Sequence, residues 1–222
     1  MTRVVLKLGG RVATAAVRHA VELHDAGNEV IVVHGAGPQI TAALRARGIP
    51  VSFSAGRRVT DPATLAIVRA SLVAVGAEVS AALGPAALLL VGDEIGLHAR
   101  PLPGLGLVAE PLPSRPAAVV AALAAGRIPV VTPIAVGPLN VNADEAAAAL
   151  AAGLDADRIV FVSDVPGVFV EGAVVDRLHA DLADELLGSG AFDGGIVPKL
   201  LAAVRAARLG IRTEIGETAV VA

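Results

Sequence analysis

Short runs of apolar, mostly β-branched residues alternate along this chain with longer segments rich in alanine and leucine, and no other feature restricts its fold as strongly. The pattern predicts strands at 4–8, 29–34, 87–91, 128–132, 158–163 and 211–215. It predicts helices at 13–26, 39–47, 62–83, 116–125, 144–153, 180–187 and 195–209. Such alternation is typical of β-α-β units around a parallel sheet, and uniformly apolar strands suit a sheet covered on both faces. We therefore predict an α/β fold, with an open, mainly parallel sheet sandwiched between helices.

Glycine and proline mark the ends of these elements. A glycine, which favours a left-handed helix end, follows or closes six predicted helices: Gly27, Gly48, Gly84, Gly126, Gly153 and Gly210. Residues 95–113 are rich in glycine and proline and predict hairpins or a surface excursion. Motif clustering and strand counting predict two lobes within one domain, an N-terminal lobe at about residues 1–137 and a smaller C-terminal lobe at about 138–222.

The composition favours small molecules, rather than nucleic acid or a membrane, as binding partners. Apolar residues make up 55% of the 222 residues, but charged residues or prolines interrupt the longest apolar runs before they reach membrane-spanning length. The 18 basic and 21 acidic residues form no long runs, so neither nucleic acid nor a membrane is an expected partner. Without cysteine, disulfides and thiolate sites are excluded. The first residues show no export signal, which predicts a cytoplasmic location.

Two glycine-containing turns follow the first two predicted strands. Residues 7–10 read Lys-Leu-Gly-Gly, and residues 34–38 read His-Gly-Ala-Gly-Pro. Glycine lets backbone amides approach a phosphate, a helix N-terminus favours negative charge, and Lys7 adds a positive charge. Open α/β sheets bind ligands at the carboxyl ends of their strands, so the two turns predict one crevice for an anion. His34 is predicted to pack or hydrogen-bond rather than act as a base, because no acidic partner stands at a recognisable spacing.

An arginine and a polar run provide further groups for a ligand. Arg58 lies just before a helix that Thr60 or Asp61 can cap. At this position the guanidinium group of Arg58 could hold a carboxylate through two hydrogen bonds. Residues 140–144 read Asn-Val-Asn-Ala-Asp, with polar side chains at alternate positions. One of the three suffices to cap the following helix, which leaves two for a ligand.

Two turns in the C-terminal part are candidates for nucleotide contacts. Residues 163–167 read Ser-Asp-Val-Pro-Gly and turn sharply after an apolar strand. Residues 193–199 place two glycines before a helix and Lys199 in its first turns. The helix dipole disfavours a cation there, so Lys199 requires a compensating anion, which a phosphate would supply.

With these motifs in this order, the chain resembles the amino acid kinase family from Lys7 to about Gly210. The most specific parts are Arg-Val-Thr-Asp at 58–61, Asn-Val-Asn-Ala-Asp at 140–144 and Gly-Gly-x-x-Pro-Lys at 194–199. The resemblance implies transfer of the γ-phosphate of ATP to the side-chain carboxylate of a small acidic substrate, N-acetyl-L-glutamate being the first expected acceptor. It also implies Mg2+ held mainly by the phosphates, and a homodimer formed through the N-terminal lobe.

The resemblance further implies residue roles. Lys7 and Lys199 would flank the transferring phosphoryl group, and Asp144 would hold both lysines. The substrate site would be formed by the amides of Gly35 and Ala36 and by the side chains of Arg58, Asn140 and Asn142. ATP would bind in the C-terminal lobe and at the first turn, against Gly9, Gly10, Ser163, Asp164, Val165, Pro166, Gly167, Ala191, Phe192 and Asp193. No protein-bound metal is expected, and no general base, because a carboxylate is already ionised near neutral pH.

The chain departs from the family pattern in two places, and other functions remain open. Ala36 stands where the family has glycine, and after Gly210 there is no room for the helix that usually precedes the last strand. One alternative is a kinase for α-aminoadipate or glutamate carried by a small acidic protein. Another is a ligand-binding module that has lost catalysis. An NAD-dependent Rossmann enzyme is disfavoured, because neither early turn reads G-x-G-x-x-G.

Overall fold

The computed structural model describes residues 1–9, 14–54, 56–163 and 165–222. In that part of the chain the strands are β1 (Arg3–Leu8), β2 (Glu29–His34), β3 (Phe53–Ser54), β4 (Arg57–Arg58), β5 (Ala87–Val91), β6 (Ala99–Pro101), β7 (Val108–Pro111), β8 (Ile128–Thr132), β9 (Ile134–Ala135), β10 (Leu139–Val141), β11 (Arg158–Phe161), β12 (Phe169–Val170), β13 (Ala173–Val174), β14 (Arg177–His179), β15 (Arg212–Ile215) and β16 (Thr218–Val221). The helices are α1 (Thr14–Asp25), α2 (Gly37–Arg45), α3 (Pro62–Leu83), α4 (Gly92–Ile95), α5 (Ala117–Ala124), α6 (Ala143–Gly153), α7 (Ala180–Gly188) and α8 (Ile196–Arg208).

An eight-stranded sheet of order β14-β16-β15-β11-β1-β2-β8-β5 forms the centre of the molecule. Neighbouring strands are parallel except for the β15–β16 pair, which is an antiparallel hairpin. Each of the six predicted strands and each of the seven predicted helices is present, and the structure adds the short helix α4, which the pattern did not predict. The predicted open, mainly parallel α/β sheet is therefore confirmed. The two-lobe division stays a prediction.

Helices cover the sheet on both faces, and strand alternation decides which residue faces which layer. Val4, Leu6 and Leu8 of β1 belong to a core with α1, α2 and α3. Val5, between them, belongs to a second core with α5, α6, α7 and α8. Because both faces are buried, the central strands β1, β2, β8 and β11 are mostly apolar and show no regular polar alternation.

Within the described residues, smaller strands form three further sheets beside the main one. Strands β6, β7, β10 and β9 form a four-stranded sheet, in which β6 and β7 pair antiparallel within the predicted excursion at 95–113. Strands β3 and β4 form a two-stranded antiparallel hairpin, and so do β12 and β13. Most of these strands contain two to four residues, too few for a recognisable period of two.

The predicted glycine helix ends are confirmed at five of the six positions. Gly27, Gly48, Gly84, Gly126 and Gly210 have positive φ angles. The prediction for Gly153 is wrong, because this residue is helical and Asp155, with φ 53°, adopts the left-handed conformation instead. Gly153 is required for close packing: a Cβ atom there would lie 2.3 Å from the backbone nitrogen of Ser114.

Helix α3 is long and apolar enough to cross a membrane, and it is the one helix of which this is true in the described ranges. One face of α3 packs on the sheet and on α1 and α2, burying Leu65, Val68, Leu72, Val75, Val79 and Leu83. Asp61 caps its first turn by accepting a hydrogen bond from the Thr64 amide at 2.7 Å, as the sequence predicted for Thr60 or Asp61. Packing in the core therefore explains the apolar residues on one face of α3.

Candidate active site

A cavity of about 650 Å³ lies at the carboxyl ends of β1, β2 and β11. Twelve of the residues predicted for the site line it: Lys7, Gly9, Gly35, Ala36, Arg58, Asn140, Asn142, Asp144, Ser163, Val165, Asp193 and Lys199. They come from seven separate stretches of the sequence, which the fold brings together around the carboxyl ends of β1, β2 and β11.

A buried charge triad stands at the inner end of this cavity. Asp144 Oδ1 lies 2.9 Å from Lys7 Nζ and 3.2 Å from Lys199 Nζ. Lys7, Asp144 and Lys199 are 7%, 6% and 9% exposed. One carboxylate between two ammonium groups leaves a net positive charge in a poorly solvated place. Such a site favours an anion, since a buried charge requires a partner.

The electrostatics of the triad reflect both burial and pairing. Burial alone would raise the pKa of Asp144, but the charges of Lys7 and Lys199 outweigh it and hold that pKa below its ordinary value. Burial, together with the charge of Lys7, lowers the pKa of Lys199, and Asp144 opposes the change. Asp144 therefore remains ionised at neutral pH, where its charge keeps the two ammonium groups side by side.

Local backbone structure places Asp144 at the start of α6. Asn142 is the cap of this helix, and its Oδ1 accepts hydrogen bonds from the amides of Asp144 at 2.8 Å and Glu145 at 3.2 Å. The extended run therefore ends at Asn142, and Asp144 reaches the cavity from the first helical turn rather than from the strand. Lys199 approaches from the second turn of α8, whose first turn contains no acidic residue.

Arg58 is a second positive group that lines the same cavity. Its Nη2 donates to Thr41 Oγ1 at 2.8 Å, and its guanidinium carbon lies 4.6 Å from the centroid of the Phe53 ring. Arg58 is 7% exposed, and its Nη1 has no hydrogen-bond partner within the described residues. Burial lowers the pKa of Arg58 from its ordinary value, yet guanidinium stays charged in proteins. A buried, partly unpaired guanidinium suits a carboxylate ligand.

Asn140 is connected to the arginine through a hydrogen-bond chain. The Asn140 Nδ2 donates to Thr60 Oγ1 at 3.0 Å, and that hydroxyl donates to the Arg58 carbonyl at 2.7 Å. Thr60, Thr41 and Phe53 were not among the predicted site residues. Their contribution depends on contacts between distant segments, which no local motif reveals.

The second turn is compatible with alanine at position 36. Ala36 has φ −143°, which an L-residue adopts without strain, and it is 2% exposed. The amide of Gly35 donates to the carbonyl of Leu8 at 3.0 Å, which joins the second turn to the first. Substitution of glycine by alanine here therefore costs no backbone strain.

Six predicted nucleotide contacts do not line the cavity or cannot be placed. Pro166, Gly167, Ala191 and Phe192 are outside the lining residues, whereas Ser163, Val165 and Asp193 are part of it. Gly167 is instead needed for packing, because a Cβ atom there would lie 2.5 Å from Thr218 Oγ1. Gly10 and Asp164 lie outside the described residues.

Comparison with known proteins agrees with this geometry. Residues 2–217 match the profile described as the amino acid kinase family. The chain is 38% identical to acetylglutamate kinase of Rubrobacter xylanophilus, over 97% of this chain and 88% of the relative. It is 39% identical to acetylglutamate kinase of Saccharopolyspora erythraea, over 94% of this chain and 77% of the relative.

A solved structure from Streptococcus mutans UA159 shows the same fold. It superposes with a TM-score of 0.91 at 24% identity, covering 99% of this chain and 98% of its own. The similarity extends over the full length of both chains, so the compact C-terminal part with the β15–β16 hairpin is shared with a protein of similar size.

Proposed function

The chain belongs to the amino acid kinase family, and from that premise we propose that it phosphorylates the side-chain carboxylate of N-acetyl-L-glutamate with ATP. The product is an acyl phosphate, and the reaction is a step of arginine biosynthesis. The observation that carries the proposal is the buried Lys7–Asp144–Lys199 triad, which offers two ammonium groups to a transferring phosphoryl group.

The chemistry requires positioning and charge neutralisation rather than proton transfer. The acceptor carboxylate attacks the γ-phosphorus in line, and the bond to the β-phosphate oxygen of ATP breaks. Lys7 and Lys199 neutralise charge on the equatorial oxygens, and Asp144 positions them. A carboxylate acceptor needs no general base, which is consistent with His34 being buried without an acidic partner within hydrogen-bond distance in the described chain.

The acidic substrate would bind between Arg58 and the triad. Arg58 would hold the α-carboxylate with its unpaired Nη1, and the amide of Ala36 would contact the end that reacts. The amide of Gly35, which the sequence also assigned to the substrate, instead donates to the Leu8 carbonyl. Asn140 and Asn142 line the same space, Asn140 also fixing the Arg58 backbone through Thr60. The side-chain carboxylate would thereby be directed towards Lys7 and Lys199.

ATP would bind against Gly9 of the first turn and against Ser163, Val165 and Asp193 of the second half of the chain. Across the described ranges no cluster of three acidic or histidine side chains could hold a metal ion. Mg2+ would therefore arrive with the phosphates, where it neutralises charge on their oxygens. The cytoplasm, which supplies ATP, is the proposed location.

The enzyme is proposed to be a homodimer through its N-terminal half. Strand β5 lies at the edge of the main sheet with half-buried residues, next to α3. The outward face of α3 is rich in exposed alanine: Ala63, Ala66, Ala70, Ala74, Ala77 and Ala81. In the described chain β5 pairs with β8 on one side and with no strand on the other, and a second copy would cover this apolar edge. Light scattering that gave the mass of one chain would contradict the dimer.

Hydroxylamine trapping tests the reaction. Purified protein is incubated with ATP, Mg2+ and hydroxylamine, with N-acetyl-L-glutamate as acceptor and N-acetyl-L-glutamine, whose side chain ends in an amide, as matched control. We expect hydroxamate from the first acceptor and none from the second. Folded protein that gave no hydroxamate with N-acetyl-L-glutamate would overturn the proposal and direct attention to carrier-linked acceptors or a non-catalytic module.

A further inference from the structure

The hairpin formed by β3 and β4 is attached to the molecule on both of its sides. Successive residues of a strand point in opposite directions. Arg58 contacts Thr41 and the Phe53 ring on one side, as described above. Arg57 points to the other side, where its Nη2 donates to Glu145 Oε1 at 2.5 Å. Glu145 is the residue after Asp144 in the first turn of α6, so this contact joins the hairpin to the helix that carries the triad carboxylate.

The hairpin has little intrinsic stability. Its strands contain two residues each and pair only with one another in the described chain, and Phe53 is 57% exposed. Two-stranded hairpins are at best marginal alone in water. Contacts with other elements must therefore fix its position. The turn lies close to the start of α8, since a Cβ atom at Gly56 would lie 3.7 Å from the side chain of Pro198, the residue before Lys199.

The Arg57–Glu145 pair is sheltered from solvent. The side chains of Arg57 and Glu145 are 23% and 7% exposed, whereas most other ion pairs outside the triad involve a partner more than one third exposed. Burial raises the pKa of Glu145, and the charge of Arg57 opposes that change. A sheltered carboxylate that loses its cation is left uncompensated, so breaking this pair has larger consequences than breaking a surface pair.

Arg57 also forms part of the wall of the active-site cavity. It lines that cavity and a second one of about 350 Å³ between α6 and α8, which Glu145 lines as well. The pair thus stands at the boundary of the site. Movement of Arg57 away from Glu145 would carry the neighbouring Arg58 with it, because the two residues form one strand.

We propose that Arg57 and Glu145 are positioning residues, whose ion pair holds the β3–β4 hairpin against α6 and thereby sets Arg58 for the acidic substrate. This inference rests on the proposed function, in which Arg58 binds the α-carboxylate. Neither Arg57 nor Glu145 touches the transferring phosphoryl group, so their effect falls on acceptor binding rather than on the chemical step.

The test compares Arg57→Gln, Arg57→Lys and Glu145→Gln with wild type, and Arg115→Gln serves as matched control. Arg115 pairs with Asp155 on the surface at 3.4 Å, and the two side chains are 50% and 86% exposed. We expect Arg57→Gln and Glu145→Gln to raise KM for the acceptor about tenfold, with kcat and KM for ATP nearly unchanged. Arg57→Lys should recover most of the loss, and Arg115→Gln should match wild type.

A second readout needs no catalysis. Hydrogen exchange of residues 52–59 should accelerate in Arg57→Gln and Glu145→Gln, and much less in the control. An inactive wild-type protein would contradict the proposed function, but the hydrogen-exchange comparison would still test whether the Arg57–Glu145 pair holds the hairpin. Unchanged hydrogen exchange in both variants would refute the positioning role of the Arg57–Glu145 pair. A loss of kcat without a rise in KM for the acceptor would refute it as well. If either Arg57→Gln or Glu145→Gln does not fold, the measurements on the other variant test the proposal.

Discussion

Acidification should destabilise this protein through His34, the last residue of β2. This side chain is 0% exposed, and its Nε2 has no partner within the described ranges. Burial lowers its pKa from 6.5 to about 4, the charge of Lys7 adds to the effect, and a contact with the Gly35 carbonyl opposes it. The folded protein therefore keeps the imidazole neutral at a pH where the unfolded chain is already protonated.

The magnitude follows from proton linkage. The unfolded state takes up the proton first, so the contribution of His34 to stability is complete above about pH 6.5 and is lost as the pH falls towards 4. The full difference corresponds to about 3.4 kcal/mol, and about 2 kcal/mol of it is lost by pH 5. His34→Gln removes the titrating group, so its stability should fall less on acidification even if the variant is weaker at every pH.

Urea unfolding of wild type and His34→Gln at about pH 7.5 and about pH 5 measures this difference, because the contributions of all other groups cancel between the two proteins. We expect wild type to lose about 2 kcal/mol more than the variant. Equal losses would refute the reasoning, since they would mean that the buried imidazole does not resist protonation.

Further substitutions test the site and the packing. Lys199→Ala should lower kcat by about two to three orders of magnitude, and near-wild-type kcat in a steady-state assay would remove Lys199 from the mechanism. Arg58→Ala should raise KM for the acidic substrate by about 10- to 100-fold and leave KM for ATP alone, while an unchanged acceptor KM would exclude the carboxylate contact. Gly153→Ala should cost about 1 to 3 kcal/mol in urea unfolding, because its Cβ would meet the Ser114 backbone at 2.3 Å, whereas Gly188→Ala, with open space around it, should cost little. Equal losses for the two glycine variants would contradict the packing argument.

The main sheet could be predicted from local patterns, and the Lys7–Asp144–Lys199 triad from the resemblance of the motifs to the amino acid kinase family. Apolar runs mark strands that are buried on both faces, and the carboxyl ends of parallel strands converge at one edge. Motifs that follow those strands therefore meet, even though Asp144 and Lys199 are 55 residues apart. Twelve of the residues that the motifs predicted line the cavity, whereas Phe53 lines it without a motif and Pro166, Gly167, Ala191 and Phe192 do not line it.

Contacts that depend on shape could not be predicted in this way. Glycine at position 153 looks like a helix end in the sequence, yet the close approach of Ser114 is what requires it. Arg57 and Glu145, 88 residues apart, belong to no motif with a recognisable chemistry, and their pairing follows from the packing of the β3–β4 hairpin on α6. Both features arise from tertiary packing, which sequence periodicity does not encode.

The most direct test of carboxylate phosphorylation follows an oxygen atom. N-acetyl-L-glutamate labelled with 18O in its side-chain carboxylate is incubated with the protein, ATP, Mg2+ and hydroxylamine, and the released phosphate is examined by 31P NMR. Attack by the carboxylate on the γ-phosphorus makes a labelled oxygen the bridge of the acyl phosphate, and hydroxylamine then breaks the bond between carbon and that oxygen. We expect phosphate that carries one 18O atom in proportion to the hydroxamate formed, and phosphate without label would contradict phosphorylation of the carboxylate.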